Sequence, residues 1–176
     1  GDVNGDGYGD FLIGAPYPNT DGADEAGQAY LILGKASGWS MDTDLSDADA
    51  SFLGEDADNY CGRQVSGAGD VNGDGYDDFL IGAHGNDEGG NYAGQTYLVF
   101  GKSSGWSMDT ELSDADASFI GEDANDNSGF GISGPGDVNG DGYDDFLIGA
   151  YGDDDGGSNA GQTYLILGKS SGWSID

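Results

Sequence analysis

The chain has 176 residues, room for one ordinary domain, and 34 acidic residues against four basic ones, a formal net charge of −30. A field this negative argues against nucleic acid and anionic membrane as partners and favours cations and basic surfaces. No run approaches the ~20 apolar residues of a membrane span, and the lone Cys61 argues against an internal disulfide framework and a zinc constellation. Only five acids are Glu (Glu25, Glu55, Glu88, Glu111 and Glu122), and the rest are Asp, a residue of turns and short metal loops. Gly makes up about a fifth of the chain, with 36 residues, and Pro numbers three, which predicts many tight turns and few helices. The acidity also suits salty surroundings, but the acids are clustered rather than evenly spread.

Gly1 falls inside a motif and no initiator Met precedes it, so the chain reads as an excised or processed piece, and the absence of a signal peptide carries little weight. The first motif is DVNGDGYGDFLIGA at 2–15. QAYLILG follows at 28–34, GWSMDT at 38–43 and LSDADASF at 45–52. After GRQVSG at 62–67 the series restarts: DVNGDGYDDFLIGA at 70–83, QTYLVFG at 95–101, GWSMDT at 105–110 and LSDADASF at 112–119. It restarts again with GFGISG at 129–134 and DVNGDGYDDFLIGA at 137–150, then QTYLILG at 162–168 and GWSID at 172–176. Asp2, Asp70 and Asp137 are equivalent, a spacing of 68 and then 67 residues.

Each unit predicts four short strands: a weak first one (GRQVSG or GFGISG), DFLIGA, the QTYLILG type, and ASFLG or ASFIG. All are rich in β-branched and aromatic residues and bounded by Gly or Asp. No segment has sustained helical periodicity. Short, evenly spaced strands in a unit of this length predict one β-propeller blade per repeat. The repeats are placed at 1–59, 60–126 and 127–176. The first lacks its leading strand and the last its closing strand, giving three, four and three strands. Propellers close with about four to eight blades, so this is a partial propeller or one closed by oligomerisation. Open edges invite pairing with further blades or other copies of the chain.

The nine-residue loop reads as a ligand set. Asp70, Asn72, Asp74 and Asp78 stand at positions 1, 3, 5 and 9, and the Tyr76 carbonyl at position 7 can also turn inward. Gly73 and Gly75 permit the sharp turn. The equivalent sets are Asp2, Asn4, Asp6, Tyr8 and Asp10, and Asp137, Asn139, Asp141, Tyr143 and Asp145. A hard, all-oxygen cage with three carboxylates suits Ca²⁺, at roughly 2.3–2.6 Å, better than the tighter octahedron of Mg²⁺. Three sites are expected, one per repeat. An EF-hand would need Glu at position 12 and flanking helices; here position 12 is Ile13, Ile81 or Ile148, inside a strand. Turn chemistry alone would not place four oxygen ligands identically in three copies.

The stretch GFGISGPGDVNGDGYDDFLIGA at 129–150 resembles the FG-GAP repeats of integrin alpha-subunit β-propellers and their bacterial counterparts. Phe130-Gly131 matches the FG, the loop matches the calcium site, and Gly14-Ala15-Pro16 supplies the full GAP. The other repeats depart with Gly-Ala-His and Gly-Ala-Tyr, and Arg63-Gln64 stands where FG would in the second. The resemblance covers essentially the whole chain. It implies four-stranded blades with Ca²⁺ in the hairpin between the first two strands, and a role in extracellular adhesion or ligand recognition. The expected function is therefore a calcium-binding, non-catalytic module, extracellular or at the cell surface, for adhesion or scaffolding, with a protein or glycan as a further ligand. A structural unit of a filament or surface layer and an accessory domain of a larger secreted enzyme are the alternatives.

Trp39, Trp106 and Trp173 recur beyond the third strand and are expected as wedges between blades rather than sugar platforms. Tyr30, Tyr97 and Tyr164 are expected to pack. The variable loops DGADEAG, GNDEGGNYAG and GDDDGGSNAG are placed for recognition or for a second, weaker cation, with plain solvated acidic loops as the alternative; Glu55 and Glu122 stand near enough in sequence to reach a neighbouring metal but are not assigned to a site. His84 is the only histidine and has no evident catalytic partners.

Overall fold

Runs of β-branched and aromatic residues bounded by Gly and Asp become strands wherever both of their faces find apolar partners. The computed structural model describes residues 1–17 and 26–175, and among these it has eleven strands and no α-helix. They are β1 (Phe11–Ala15), β2 (Gln28–Ile32), β3 (Ala50–Leu53), β4 (Gln64–Gly69), β5 (Asp78–Ala83), β6 (Gln95–Val99), β7 (Thr110–Glu111), β8 (Ala117–Ile120), β9 (Ser128–Gly136), β10 (Asp145–Ala150) and β11 (Gln162–Ile166). Three sheets result, ordered β1-β2-β3-β7, β4-β5-β6-β8 and β9-β10-β11. The architecture is all-β, with a sheet of three or four strands per repeat and no closed ring.

Within each sheet the register repeats. Ile81 of β5 faces Tyr97 of β6, as Ile13 faces Tyr30 and Ile148 faces Tyr164. The first strands run further than expected, ending at Gly69 and Gly136, with β4 shifted at unchanged length and β9 lengthened, because both continue through a bulge to pair Gly with Asp78 and Asp145. Strand β7 is absent from the sequence-based expectation. It pairs in parallel with β3, matching Phe52 to Thr110 and Leu53 to Glu111. The segment leading to it reaches back from the second repeat. Ser51 N donates to Ser107 O at 3.2 Å, and Asp109 Oδ1 accepts from Ser51 Oγ at 3.0 Å and Gln28 Nε2 at 3.1 Å. Ser118 N donates likewise to Ser174 O at 3.1 Å, so each following repeat laces the outer strand of the sheet before it. Two-residue pairings leave no periodic trace in a sequence.

The core lies between sheets. Leu31, Ala50 and Phe52 of the first sheet bury against Phe79, Ile81 and Val99 of the second, with Trp106 packed at the margin. Their counterparts Leu98 and Ala117 bury against Phe146 and Ile148 of the third, with Phe119, Ile166 and Trp173 packed alongside. The same edge-to-face pair anchors both interfaces: Phe52–Phe79 at 5.4 Å and Phe119–Phe146 at 5.3 Å between centroids. Trp106 and Trp173 are wedges between blades, as expected. Gly14 and Gly82 permit the close approach, since a Cβ on either would strike the carbonyl oxygen of Gly62 or Gly129 in the next repeat.

The outer faces lack such partners. Phe11, the counterpart of Phe79, is 45% exposed against 1%, and Leu165, the counterpart of Leu98, is 48% exposed against 0%. Two identical substitutions therefore separate. Phe79→Ala is expected to cost about 3–5 kcal/mol, and Phe11→Ala less than about 1 kcal/mol, in urea unfolding with calcium present. Equal losses would contradict the interface assignment.

Candidate metal centre

Every nine-residue loop is wound by the same internal hydrogen bonds. In the second repeat Asp70 Oδ1 accepts from Gly73 N at 2.7 Å and Asp74 N at 3.0 Å, while its Oδ2 accepts from Gly75 N at 2.9 Å. Asn72 Oδ1 accepts from Asp74 N at 2.8 Å, and Asn72 Nδ2 donates to Asp74 Oδ2 at 3.0 Å. Asp74 Oδ1 accepts from Tyr76 N at 3.0 Å. The turn passes through Gly73 and Gly75 at φ of 76° and 93°, where a Cβ is disfavoured.

The other two loops superpose this pattern residue for residue. Asp2 accepts from Gly5, Asp6 and Gly7, Asn4 joins Asp6, and Asp6 accepts from Tyr8. Asp137 accepts from Gly140, Asp141 and Gly142, Asn139 joins Asp141, and Asp141 accepts from Tyr143. These backbone hydrogen bonds, chiefly that of Gly142, hold the Asp137 carboxyl below its ordinary range.

Position 9 behaves differently. Asp78 is fully buried, its Oδ2 accepting from Val71 N at 2.9 Å and its Oδ1 from Gly101 N at 2.8 Å. Asp10 does the same with Val3 N at 2.8 Å and Gly34 N at 2.6 Å, and Asp145 with Val138 N at 2.9 Å and Gly168 N at 2.8 Å. This carboxylate therefore ties the loop's second residue to the exit of the third strand, 23 residues or so downstream. Burial, reinforced by Asp74 and Asp70 close by, pushes Asp78 up to about 7 despite those two hydrogen bonds. Such a buried, poorly compensated carboxylate is a site that a cation would relieve.

The side chains at positions 1, 3, 5 and 9 present oxygen, with no thiol or imidazole among them; Oδ1 at position 1 already accepts two hydrogen bonds, while Oδ2 there and both carboxylate oxygens at positions 5 and 9 accept one each and keep a second lone pair. That donor set fits a hard divalent cation. No side-chain cation competes for it nearby in sequence: Lys35, Lys102 and Lys169 each lie over their repeat's tryptophan, at 5.0, 4.7 and 4.7 Å from the ring centroid.

Sequence reasoning gave no role to position 8. Asp77 Oδ2 accepts from Asp2 N at 2.7 Å, and Asp144 Oδ2 accepts from Asp70 N at 3.0 Å, so each later loop latches onto the loop before it. Main-chain bonds from Asp77 N to Asp2 O and from Asp144 N to Asp70 O, both 3.1 Å, close each latch. The signal was visible as the paired aspartates of the second and third repeats against Gly9 in the first.

A second acidic group lies at the opposite end of the sheets. Glu122, Asp153 and Asp155 bring carboxylate oxygens within 4.8 Å of one another, the one such grouping of three among the described residues; the carboxylates at positions 1, 5 and 9 of the nine-residue loops do not all come that close. It joins Glu122 from the second repeat to the β10–β11 loop of the third, and Tyr164 beside it is pushed up to about 12 by burial and then by Glu122 and Asp153. The matching Glu55 is raised by burial, with Glu88 and Glu111 adding to it. Most of the first repeat's variable loop, residues 21–25, lies outside the described residues.

A family model for the FG-GAP repeat matches residues 1–32, 62–99 and 131–166. The chain belongs to the FG-GAP repeat family. It is 33% identical over 158 residues to integrin alpha-IIb of Mus musculus, covering 86% of this chain and 14% of that protein. It is 31% identical over 158 residues to integrin alpha-PS2 of Drosophila melanogaster, covering 87% of this chain and 11% of that one. The FG-GAP chain thus spans about a seventh or less of these relatives. FG-GAP repeats often bind Ca²⁺ in loops of this kind, and modules of this integrin alpha-like type are generally non-catalytic.

Burial raises Glu55 and Asp126 above their ordinary values of 4.5 and 3.8. Both bind a proton more tightly folded than unfolded, so stability increases as pH falls toward those values and is lost as pH rises. Asp78, raised by burial from 3.8 to about 7, places the window: in chelator the FG-GAP chain is expected to melt at a higher temperature at pH 5.5 than at pH 8, with Glu55→Gln reducing part of that slope. A melting temperature that climbs with pH in chelator would contradict this.

Proposed function

We propose that the chain is a segment of a calcium-stabilised β-propeller, non-catalytic, serving adhesion or scaffolding in an extracellular or cell-surface setting. Repeats 1–59, 60–126 and 127–176 are its units, and each nine-residue loop holds one Ca²⁺. The first site uses Asp2, Asn4, Asp6, the Tyr8 carbonyl and Asp10. The second uses Asp70, Asn72, Asp74, the Tyr76 carbonyl and Asp78, and the third Asp137, Asn139, Asp141, the Tyr143 carbonyl and Asp145. The observation that carries this is the recurrence of one hydrogen-bonded, oxygen-lined turn in three copies, each closed by an aspartate bonded to two separate backbone segments. The extracellular setting is inferred from family membership and from the chemistry: modules of this kind bind calcium at roughly 10⁻⁴–10⁻³ M, a range met outside cells.

The metal's role is linkage. It binds the folded loops, offsets the repulsion among their carboxylates, and stabilises by about 2.7 kcal/mol per independent site when free calcium is 100-fold above Kd. A thermal melt in calcium against chelator is therefore expected to shift strongly upward, with magnesium giving a smaller shift. Asp70→Ala should remove part of the calcium-dependent shift and, because three loop hydrogen bonds end on that carboxylate, also lower the chelator melt. No difference between calcium and chelator would end this proposal.

The open faces bearing Phe11 and Trp39 at one side and Leu165 and Leu167 at the other support a second element. They are the counterparts of surfaces that bury against one another inside the chain, so further blades are the fitting partners, whether from a longer chain or from other copies. Native mass measurement of the 176-residue chain in calcium is expected to show association of copies. A strict monomer at high concentration would leave only further blades of a longer chain as partners.

A further inference from the structure

At the end of the sheets opposite the nine-residue loops, aromatic rings from all three repeats form a continuous row. Tyr17 packs edge-on to Tyr60 at 6.0 Å, and Tyr60 stacks on His84 at 5.4 Å. His84 meets Phe130 edge-on at 5.2 Å, and Phe130 meets Tyr151 at 4.8 Å. The only arginine of the chain, Arg63, lies over the Phe130 ring at 4.9 Å and donates from Nη1 to Tyr17 Oη at 3.2 Å. Tyr17 and Tyr151, at the two ends of the row, are 59% and 56% exposed.

The repeat isolates these residues. Tyr60 faces Asn127 in the alignment, Arg63 faces Phe130, His84 faces Pro16 and Tyr151, and Tyr17 faces Gly85 and Gly152. In a chain whose scaffold positions recur almost unchanged, residues that break the repeat gather at one place. Three of the four basic residues are held over tryptophans. The fourth stands exposed, and among the described residues it forms no ion pair with any carboxylate of so acidic a chain.

We infer that this row is a binding site for a sugar acid, a single carboxylate on an otherwise neutral pyranose at the end of a glycan. Arg63 supplies a planar fork for the carboxylate, pre-positioned by Phe130 and the Tyr17 hydroxyl. Tyr17 and Tyr60 supply flat rings for the C–H faces of the sugar, with hydroxyl groups at their rims. The net charge of −30 opposes anions in proportion to their charge, so a ligand with a single carboxylate held at Arg63 is the least disfavoured of them. The depression of about 300 Å³ between Tyr17, Tyr60, Arg63, His84 and Phe130 is open and contains no aliphatic side chain. A peptide anchor would call for an enclosed apolar hole, whereas a pyranose lies flat. Burial and then Arg63 hold His84 below its ordinary value, so the imidazole adds no second positive charge at neutral pH.

This site deepens the recognition role proposed above and uses none of the metal-loop residues. The test is titration of the whole chain in calcium with sodium glucuronate, glucose, acetate and N-acetyl-aspartyl amide, followed by NMR. Glucuronate is expected to shift the Tyr17, Tyr60, His84 and Phe130 signals saturably, at least about tenfold tighter than the other three. Arg63→Gln should abolish that binding, and Arg63→Lys, which keeps the charge and loses the fork, should weaken it by about tenfold. The calcium-dependent melt of each variant, recorded on the same samples, should be unchanged because Arg63 is exposed. Failure of glucuronate to bind, equal binding by Arg63→Gln, or tighter binding of the aspartyl amide overturns the sugar-acid site. Loss of the calcium shift instead overturns the metal reading and leaves this one standing.

Discussion

The structure depends on a carboxylate at the ninth position of each loop, fully buried in the second and third repeats and half-buried in the first. Asp78 accepts one hydrogen bond from Val71, at the start of its own loop, and another from Gly101, where the third strand ends. That one side chain fixes the loop's shape, the start of β5 and the exit of β6 together. Its copies, Asp10 and Asp145, do the same. Burying a charge is costly unless it is hydrogen-bonded and compensated. The hydrogen bonds come from the backbone; in the calcium-bound form proposed above, the remaining compensation falls to the cation. Scaffold and metal chemistry are thereby the same feature seen from two sides.

From this point, order passes between repeats by three routes. Phenylalanine pairs join the sheet faces, Phe52 to Phe79 and Phe119 to Phe146. The segments ending at Ser107 and Ser174 lace the outer strands. The latches from Asp77 and Asp144 connect successive loops into a row. Each route runs from one repeat to its neighbour and no further, the arrangement expected of a modular stack in which nearest-neighbour contacts carry the stability. The two ends of each blade can then take different work: acidic loops at one, and the Arg63 row with the Glu122–Asp153–Asp155 group at the other.

Most of the strand layout was legible, because DFLIGA and QTYLILG carry a local pattern that survives any context. The internal winding of positions 1, 3 and 5 of the loops was legible for the same reason, their spacing being short and their partners within the loop, whereas the second partner of position 9 lies beyond the third strand. Asp77 and Asp144 were visible as an anomaly yet could not be assigned, since their partners lie about 75 residues away. Strand β7 was illegible altogether, as two residues pairing with another repeat leave no periodicity. The row through Tyr17, Tyr60, Arg63, His84, Phe130 and Tyr151 could be seen in the sequence only as scattered departures from the repeat.

By itself, the sequence determined the repeat, the strands, the turn chemistry of the loops and the family to which they belong, all of which rest on interactions between residues close along the chain. Only the tertiary structure decided which copies of the same residue are buried. Phe79 and Phe11 occupy the same place in the same motif, yet one is enclosed and the other half open, because only one has a neighbouring sheet to pack against. Burial, and with it the raised carboxyls of Asp78 and Glu55 and the gathering of Arg63 with its rings, is a property of what stands opposite a residue, which local spacing does not encode.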